Sequence, residues 1–251
     1  QANPAQPKIV SYSTQHAADY QVRDIVYSLS GAEFTLLTAQ GEFKVQSPLL
    51  GHFNIENIVA SLIAAEQAGF DLADLIEVVP QLKGAPGRMQ VIRDEARLFV
   101  VDYAHTPDAL IQVLQTLKRH VSQNLWAVFG CGGDRDRGKR PLMTQAALEG
   151  ADIVLLTSDN PRTENPEQIF ADMKTGLDFG AQTVHEIHDR REAIKFAVKN
   201  AQAGDIVVIA GKGHENYQEI EGVRHWFDDV VEVQSAINAM HSSVKSAYPA
   251  S

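Results

Sequence analysis

With Cys131 as its single cysteine, the 251-residue chain can form no intramolecular disulfide, and nothing in it points to an oxidising compartment. Basic residues are also scarce: 22 Lys and Arg stand against 32 Asp and Glu, for a formal net charge of −10. That deficit argues against nucleic acid as a partner, because such binding draws most of its affinity from clustered cations neutralising phosphates. A small anionic substrate stays open. No apolar run approaches the length of a bilayer span, and the start, from Gln1 to Lys8, is polar and proline-containing rather than a basic patch before an apolar stretch. Neither a signal peptide nor a membrane anchor is read, and the cytoplasm is the expected compartment. Internal repeats and low-complexity tracts are missing as well.

The composition that remains, 44% hydrophobic and 22% charged, is enough to bury one large core or two smaller ones. An opening at Gln1, followed by Ala2, Asn3 and Pro4, reads as a chain that begins partway through something. His241 to Ser251, small and polar with Pro249, reads as a frayed tail.

Along the chain, short β-like runs come first: Lys8 to Ser13, Tyr20 to Ser28, Glu33 to Thr38 and Glu42 to Val45, with turn signals at Ser30-Gly31 and Gln40-Gly41. They predict antiparallel hairpins. From Asn54 to Ala68, Ile55, Ile58, Val59, Leu62 and Ile63 recur at helical spacing before Gly69, and a short helix is expected from Leu72 to Val79. Pro80, Gly84, Pro86 and Gly87 then form the strongest linker signal, and a domain boundary is placed there, after residue 84. Beyond it, apolar runs at Leu98 to Tyr103, Leu125 to Gly130, Ile153 to Thr157 and Ile206 to Ala210 alternate with helical stretches at Pro107 to His120, Lys139 to Glu149, Pro166 to Leu177 and Arg190 to Ala201. This alternation predicts an α/β, doubly wound, mostly parallel sheet covered on both faces. Gln218 to Ile220 and Val223 to Trp226, around Glu221-Gly222, should add an antiparallel edge hairpin.

Ligands of such sheets bind beyond the carboxyl ends of the strands, so the residues after each run are the functional candidates. The first run leads into Asp102-Tyr103-Ala104-His105-Thr106-Pro107, where Asp102 and His105 stand at a strand end; a helix-capping acid and a surface histidine are the plainer reading. The second leads into Cys131-Gly132-Gly133-Asp134-Arg135-Asp136-Arg137-Gly138-Lys139-Arg140. From Gly133 to Lys139 this reads G-x-x-x-x-G-K, but Arg140 stands where a phosphate loop needs Ser or Thr. Counted from Gly130 it begins G-x-G-x-x-G, yet Arg135 takes the last glycine. Both nucleotide fingerprints are rejected. What remains is a turn rich in arginine, suited to carboxylate or phosphate, or else a solvated turn with Arg–Asp pairing. The third loop, Ser158-Asp159-Asn160-Pro161-Arg162-Thr163-Glu164-Asn165-Pro166, is stiffened by two prolines and presents Arg162; as structure alone it is a turn with Asn165 capping a helix. The fourth, Gly211-Lys212-Gly213-His214-Glu215, permits close backbone approach and offers Glu215 as an anion for an ammonium. Arg135, Arg162 and Glu215 together describe a pocket with two cationic forks and one carboxylate, as an amino acid with an extra carboxylate requires. His185 and His188 lack metal-site spacing, and Cys131 is read as a small packed residue.

The sequence resembles the C-terminal half of a Mur ligase, over nearly its whole length: Gly51-His52-Phe53-Asn54-Ile55-Glu56-Asn57, Pro86-Gly87-Arg88-Met89, Asp102 to Pro107, Gly130 to Pro141 and Gly211 to Glu215 carry the likeness. Asp159-Asn160-Pro161-Arg162 is the most specific part, matching the motif of the members that add meso-diaminopimelate rather than lysine. The resemblance implies residues 1–84 as the end of the central ATP-binding domain, an incomplete α+β piece. It implies 85–241 as the C-terminal domain, a Rossmann-like sheet, with 242–251 a disordered tail. It also implies an ATP-dependent amide ligase of peptidoglycan synthesis, joining meso-diaminopimelate to UDP-N-acetylmuramoyl-L-alanyl-D-glutamate, with these small molecules and ATP as its partners and a monomeric state. Arg135, Asn160 and Arg162 would grip the distal carboxylate, with Asp159 and Pro161 shaping the loop and Gly211 and Glu215 completing the site. Asn54, Asn57, Arg88, Asp102 and His105 match positions near the nucleotide. Asn165 departs from the acid found in many relatives. The phosphate loop, the carbamylated lysine, the Mg²⁺ ligands and the UDP-binding domain lie upstream in the family, so these 251 residues are expected to bind without catalysing. A non-catalytic binding or interaction module, and an independent phosphate-handling enzyme using Gly130 to Arg140, are the rival readings.

Overall fold

In a computed structural model, residues 9–180 and 183–247 are described, and they divide into two units, residues 1–83 and 84–251. The first unit holds β1 (Tyr12–Ser13), β2 (Tyr20–Ser28), β3 (Gly31–Thr38) and β4 (Gly41–Ser47), paired in that order. The β2–β3 and β3–β4 pairs are antiparallel, as the turn signals require, whereas β1 runs parallel to β2. Alternation places Ala32, Phe34 and Leu36 on one face of β3, where they meet Val22 and Val45. Helix α1 (His52–Gln67) covers that face with Ile55, Ile58, Val59, Leu62 and Ile63, the apolar stripe of the sequence. Asp71 caps α2 (Leu72–Val78) by accepting from Ala73 N and Asp74 N, and a 3₁₀ turn follows over Val79–Gln81.

The second unit is built on a six-stranded sheet: β5 (Gln90–Asp94), β6 (Arg97–Asp102), β7 (Leu125–Phe129), β8 (Ile153–Leu156), β9 (Thr183–Glu186) and β10 (Ile206–Ala210), in the order β5-β6-β10-β7-β8-β9. All pairings are parallel except β5 with β6. Every residue of β6, β7 and β10 is buried, which is why these strands read as unbroken apolar runs. Helices α3 (Pro107–Lys118), α4 (Lys139–Gly150) and α5 (Pro166–Lys174) pack side by side. Helices α6 (Arg190–Asn200) and α7 (Asp229–Ala247) pack together, and the core they share with the sheet includes Phe99, Val101, Trp126, Val128, Val207 and Ile209. Helix starts follow their caps: Thr106 ahead of Pro107, Asn165 ahead of Pro166, and Asp189.

Two expectations need correction. The hairpin of β11 (Tyr217–Ile220) and β12 (Val223–Trp226) forms its own two-stranded sheet, touching the third loop through an Arg162–Ile220 bridge, and the antiparallel edge of the main sheet is β5 instead. The tail placed at 242–251 is helical as far as Ala247, because α7 continues through it; residues 248–251 lie outside the described residues, as do residues 1–8, which include the start of the first expected β run.

Candidate functional site

Because β6, β10, β7 and β8 are parallel neighbours, their carboxyl ends deliver four loops to one edge of the sheet. Backbone bonds join these loops: Gly211 N donates to Asp102 O at 3.1 Å, and Gly133 N to Asn160 O at 2.8 Å. Glycine is needed where they cross. A Cβ on Gly133 would overlap the Pro161 carbonyl, and one on Gly213, whose φ is +55°, would lie 2.7 Å from Tyr103 Cβ and 2.8 Å from Gly87 O.

The arginine-rich loop after β7 resolves into two populations. Arg140 is fully buried and donates to both oxygens of Glu164 (2.7 and 2.6 Å), to Asp172 (2.7 Å) and to Gly132 O (3.2 Å). Arg137 makes a bidentate pair with Asp172, at 2.8 and 2.9 Å. Hydrogen bonding from Arg140 holds the Glu164 carboxyl down at about 2, and Arg137 above all lowers that of Asp172. The reading of a solvated turn with Arg–Asp pairing therefore fits the exposed Arg137, whereas Arg140 is buried in α4 and bound chiefly to Glu164. Arg135 differs: it is exposed, and its protein hydrogen bond is Nη1 to Asp134 O at 3.0 Å.

Arg162, in the left-handed region at φ +53°, donates through Nη1 to Gly133 O at 2.8 Å and lies 4.0 Å from Glu219. A methyl group on Gly132 would stand 2.9 Å from Arg162 Nη1 and 3.7 Å from Arg135 Cγ, so both arginine side chains border that glycine. Asn160 is buried; its Nδ2 donates to Glu215 Oε2 at 3.2 Å, and its Oδ1 accepts from Glu219 N and Lys212 Nζ, both at 2.9 Å. Asp159 Oδ1 lies 3.1 Å from Lys212 Nζ, and a Cβ on Gly211 would lie 3.5 Å from Asp159 Oδ2. Pro161 is buried between these contacts. Arg135, Asp159, Asn160, Pro161, Arg162, Gly211 and Glu215 thus fall in one contiguous cluster. Two buried cations beneath it escaped notice in the sequence, Lys212 and Arg190. Arg190 donates to Ala210 O at 3.0 Å and pairs with Asp229 at 2.8 Å. Burial works against its charge, but Asp229, with Asp159 and Glu215 behind it, holds the guanidinium above its ordinary value.

A second cluster sits at the end of β6. Asp102, buried, accepts from Met89 N and Ala104 N, both at 2.8 Å; it fastens the Gly87–Met89 turn to the strand, and the helix cap is Thr106. Tyr103 stands at its centre, with the Arg88 guanidinium 5.1 Å from its ring and the rings of His105 and His214 at 4.7 and 5.6 Å. Tyr103 and His214 were not singled out in the sequence, since only the turn geometry brings them beside Arg88. Asn54 and Asn57 belong to α1 of the first unit, where Asn54 Nδ2 donates to Leu50 O at 2.8 Å and Asn57 is exposed. Burial pushes the Cys131 thiol up to about 12, which removes it as a nucleophile.

Family models match both units: the Mur ligase glutamate ligase domain over residues 87–213, more than half of the chain, and the Mur ligase middle domain over residues 1–65. The chain belongs to the Mur ligase family. A UDP-N-acetylmuramoyl-L-alanyl-D-glutamate–2,6-diaminopimelate ligase of Pseudomonas putida is 47% identical over 92% of the chain, and its counterpart in Geobacillus thermodenitrificans is 42% identical over 91%. These matches cover 47% of each relative, so the chain spans about half the length of the curated Mur ligases it resembles. A solved structure of a ligase with the same name matches at 77% identity and a TM-score of 0.84, covering 95% of this chain and 49% of that one. An alanine-adding Mur ligase from Thermotoga maritima, 17% identical with a TM-score of 0.60 over 93% of this chain and 48% of its own, shares the fold.

Among the described residues, no group of three or more His, Cys, Asp or Glu is arranged to hold a metal ion. No described helix is long and apolar enough to cross a membrane.

Proposed function

We propose that this chain is the part of an ATP-dependent Mur ligase that selects meso-diaminopimelate for addition to UDP-N-acetylmuramoyl-L-alanyl-D-glutamate. The observation that carries this reading is the joined loop pair in which Asn160 meets Glu215 while Arg162 and Arg135 border Gly132. Diaminopimelate differs from lysine by a distal carboxylate. Guanidinium groups bind a carboxylate through charge-assisted hydrogen bonds, and a site built for it leaves those guanidinium groups without their carboxylate partner when lysine enters. Glu215 supplies the complementary charge for an ammonium.

In the family reaction, the D-glutamate carboxylate takes the γ-phosphoryl group of ATP, and the amine of the incoming amino acid displaces phosphate from the resulting acyl phosphate, forming the amide and losing a proton. Such catalysis rests on positioning and charge stabilisation. In this reading Arg135, Asn160, Arg162 and Glu215 orient the amine's parent amino acid, and Arg88, Asp102 and His105, with Tyr103, contribute to the nucleotide side. The phosphate-loop pattern is absent from these 251 residues, and Arg140 in the near-match is locked into ion pairs. The chain alone therefore binds amino acid without hydrolysing ATP, which sets it apart from an independent phosphate-handling enzyme. Isothermal titration tests this: heat is expected with meso-diaminopimelate and none with L-lysine, and ATP added to the chain yields no phosphate. Equal binding of lysine, or steady ATP hydrolysis, would sink the proposal.

A further inference from the structure

Lys212 has zero solvent exposure, yet it lies between the two loops of the amino-acid cluster. It is turned inward by its neighbours: Gly211 at φ +116° and Gly213 at φ +55° hold conformations that L side chains rarely adopt. Its ammonium donates to Asn160 Oδ1 at 2.9 Å and to Tyr217 O at 2.7 Å, and lies 3.1 Å from Asp159 Oδ1. Two hydrogen bonds and the ion pair with Asp159 direct the ammonium into the protein, and its zero exposure keeps it from a substrate.

The consequence falls on Asn160. A side-chain amide can rotate to exchange its oxygen and nitrogen, and only its partners decide which way it points. Here Oδ1 takes one hydrogen bond from Lys212 and one from Glu219 N, both at 2.9 Å. Two donors on that side exclude the flipped form, which would set Nδ2 against two N–H groups. Nδ2 is thereby aimed at Glu215, 3.2 Å away, and toward the cluster. Lys212 also neutralises Asp159, one residue earlier on the same loop, and through Tyr217 O ties that loop to the start of β11.

From these contacts we infer that Lys212 is a positioning residue for amino-acid selection: its buried ammonium fixes the orientation of the Asn160 amide and clamps the 159–162 loop to the 211–217 loop. It acts through Asn160 and touches no substrate. The inference rests on the selective role proposed above for this cluster.

The test uses a complete ligase carrying this sequence, with Lys212→Met, Asn160→Ala and the double variant. Lys212→Met is expected to raise KM for meso-diaminopimelate roughly ten- to hundredfold, as loss of a buried charged hydrogen-bond partner does, while KM for ATP stays within about twofold. The double variant should be no worse than Asn160→Ala alone, because the lysine works through that amide. Lys212→Gln, whose amide keeps two N–H donors but no charge, should restore part of the loss. Parallel rises in both KM values, additive losses in the double variant, an unchanged KM for meso-diaminopimelate, or failure of both Lys212 variants to fold would each overturn the inference and leave Lys212 as structural support. If the unmodified ligase accepted lysine as readily as meso-diaminopimelate, the selective role itself would fail, whatever the Lys212 variants did.

Discussion

Asn160 Nδ2 donates to Glu215 Oε2 at 3.2 Å, joining the loop that follows β8 to the loop that follows β10 across 55 positions of sequence. These strands are separated in the sheet by β7, and a Cβ on Gly132 or Gly133 in the loop after β7 would crowd Arg162 or the Pro161 carbonyl of the loop after β8. A pocket assembled this way depends on several strand ends at once.

Arg162 should be decisive for the amino acid and indifferent to the nucleotide. Arg162→Ala in a complete ligase is expected to raise KM for meso-diaminopimelate roughly tenfold or more, with KM for ATP little changed. Arg162→Lys should recover little, since an ammonium cannot reproduce a planar fork. Steady-state kinetics with each substrate varied in turn checks both.

Arg140 should matter for stability rather than for recognition. Its removal leaves Glu164 and Asp172 without the cation between them, and breaking such a pair costs about 3 kcal/mol or more. Arg140→Ala is expected to lower the melting temperature by roughly 5–10 °C. A thermal shift experiment reads this directly.

The same pair sets an acid limit. Arg140 holds the Glu164 carboxyl at about 2 in the folded chain, below its ordinary value of 4.5. A carboxyl depressed on folding stabilises the protein above its unfolded pKa and loses that contribution as pH falls toward the folded one. Melting temperature should therefore fall between about pH 4.5 and pH 2, and Glu164→Gln, lacking that titration, should show a shallower fall from a lower starting point.

Gly213→Ala should disturb the second cluster. Its φ of +55° and the 2.7 Å approach to Tyr103 Cβ leave no room for a methyl group without moving either the Gly87 turn or Tyr103. The expected result in a complete ligase is a higher KM for ATP, matched by Tyr103→Ala.

How much of this could be read in the sequence follows from where the determinants lie. The buried strands announced themselves as apolar runs because both faces are covered, and Thr106-Pro107 and Asn165-Pro166 marked helix starts because capping is local. Arg140 could be excluded from a phosphate loop by its side chain alone. Its actual partners, Glu164 and Asp172, lie 24 and 32 positions away, so only the packed structure shows them. Lys212 was passed over for the same reason: a lysine between glycines looks like a solvated turn until the fold buries it. The strand Gln90–Asp94 and the helix Asp229–Ala247 were not anticipated, the first because it is short and only partly buried, the second because its early acids and small residues weaken the apolar stripe.

The central claim is that two arginines and a glutamate on separate strand ends form one site for a dicarboxylic diamino acid. A crystal structure of the chain with meso-diaminopimelate bound tests it most directly. The expected result places the distal carboxylate within hydrogen-bonding distance of Arg162 and Arg135, and an ammonium against Glu215. A distal carboxylate lying in solvent, or seated beside Arg88 and Tyr103 instead, would contradict it.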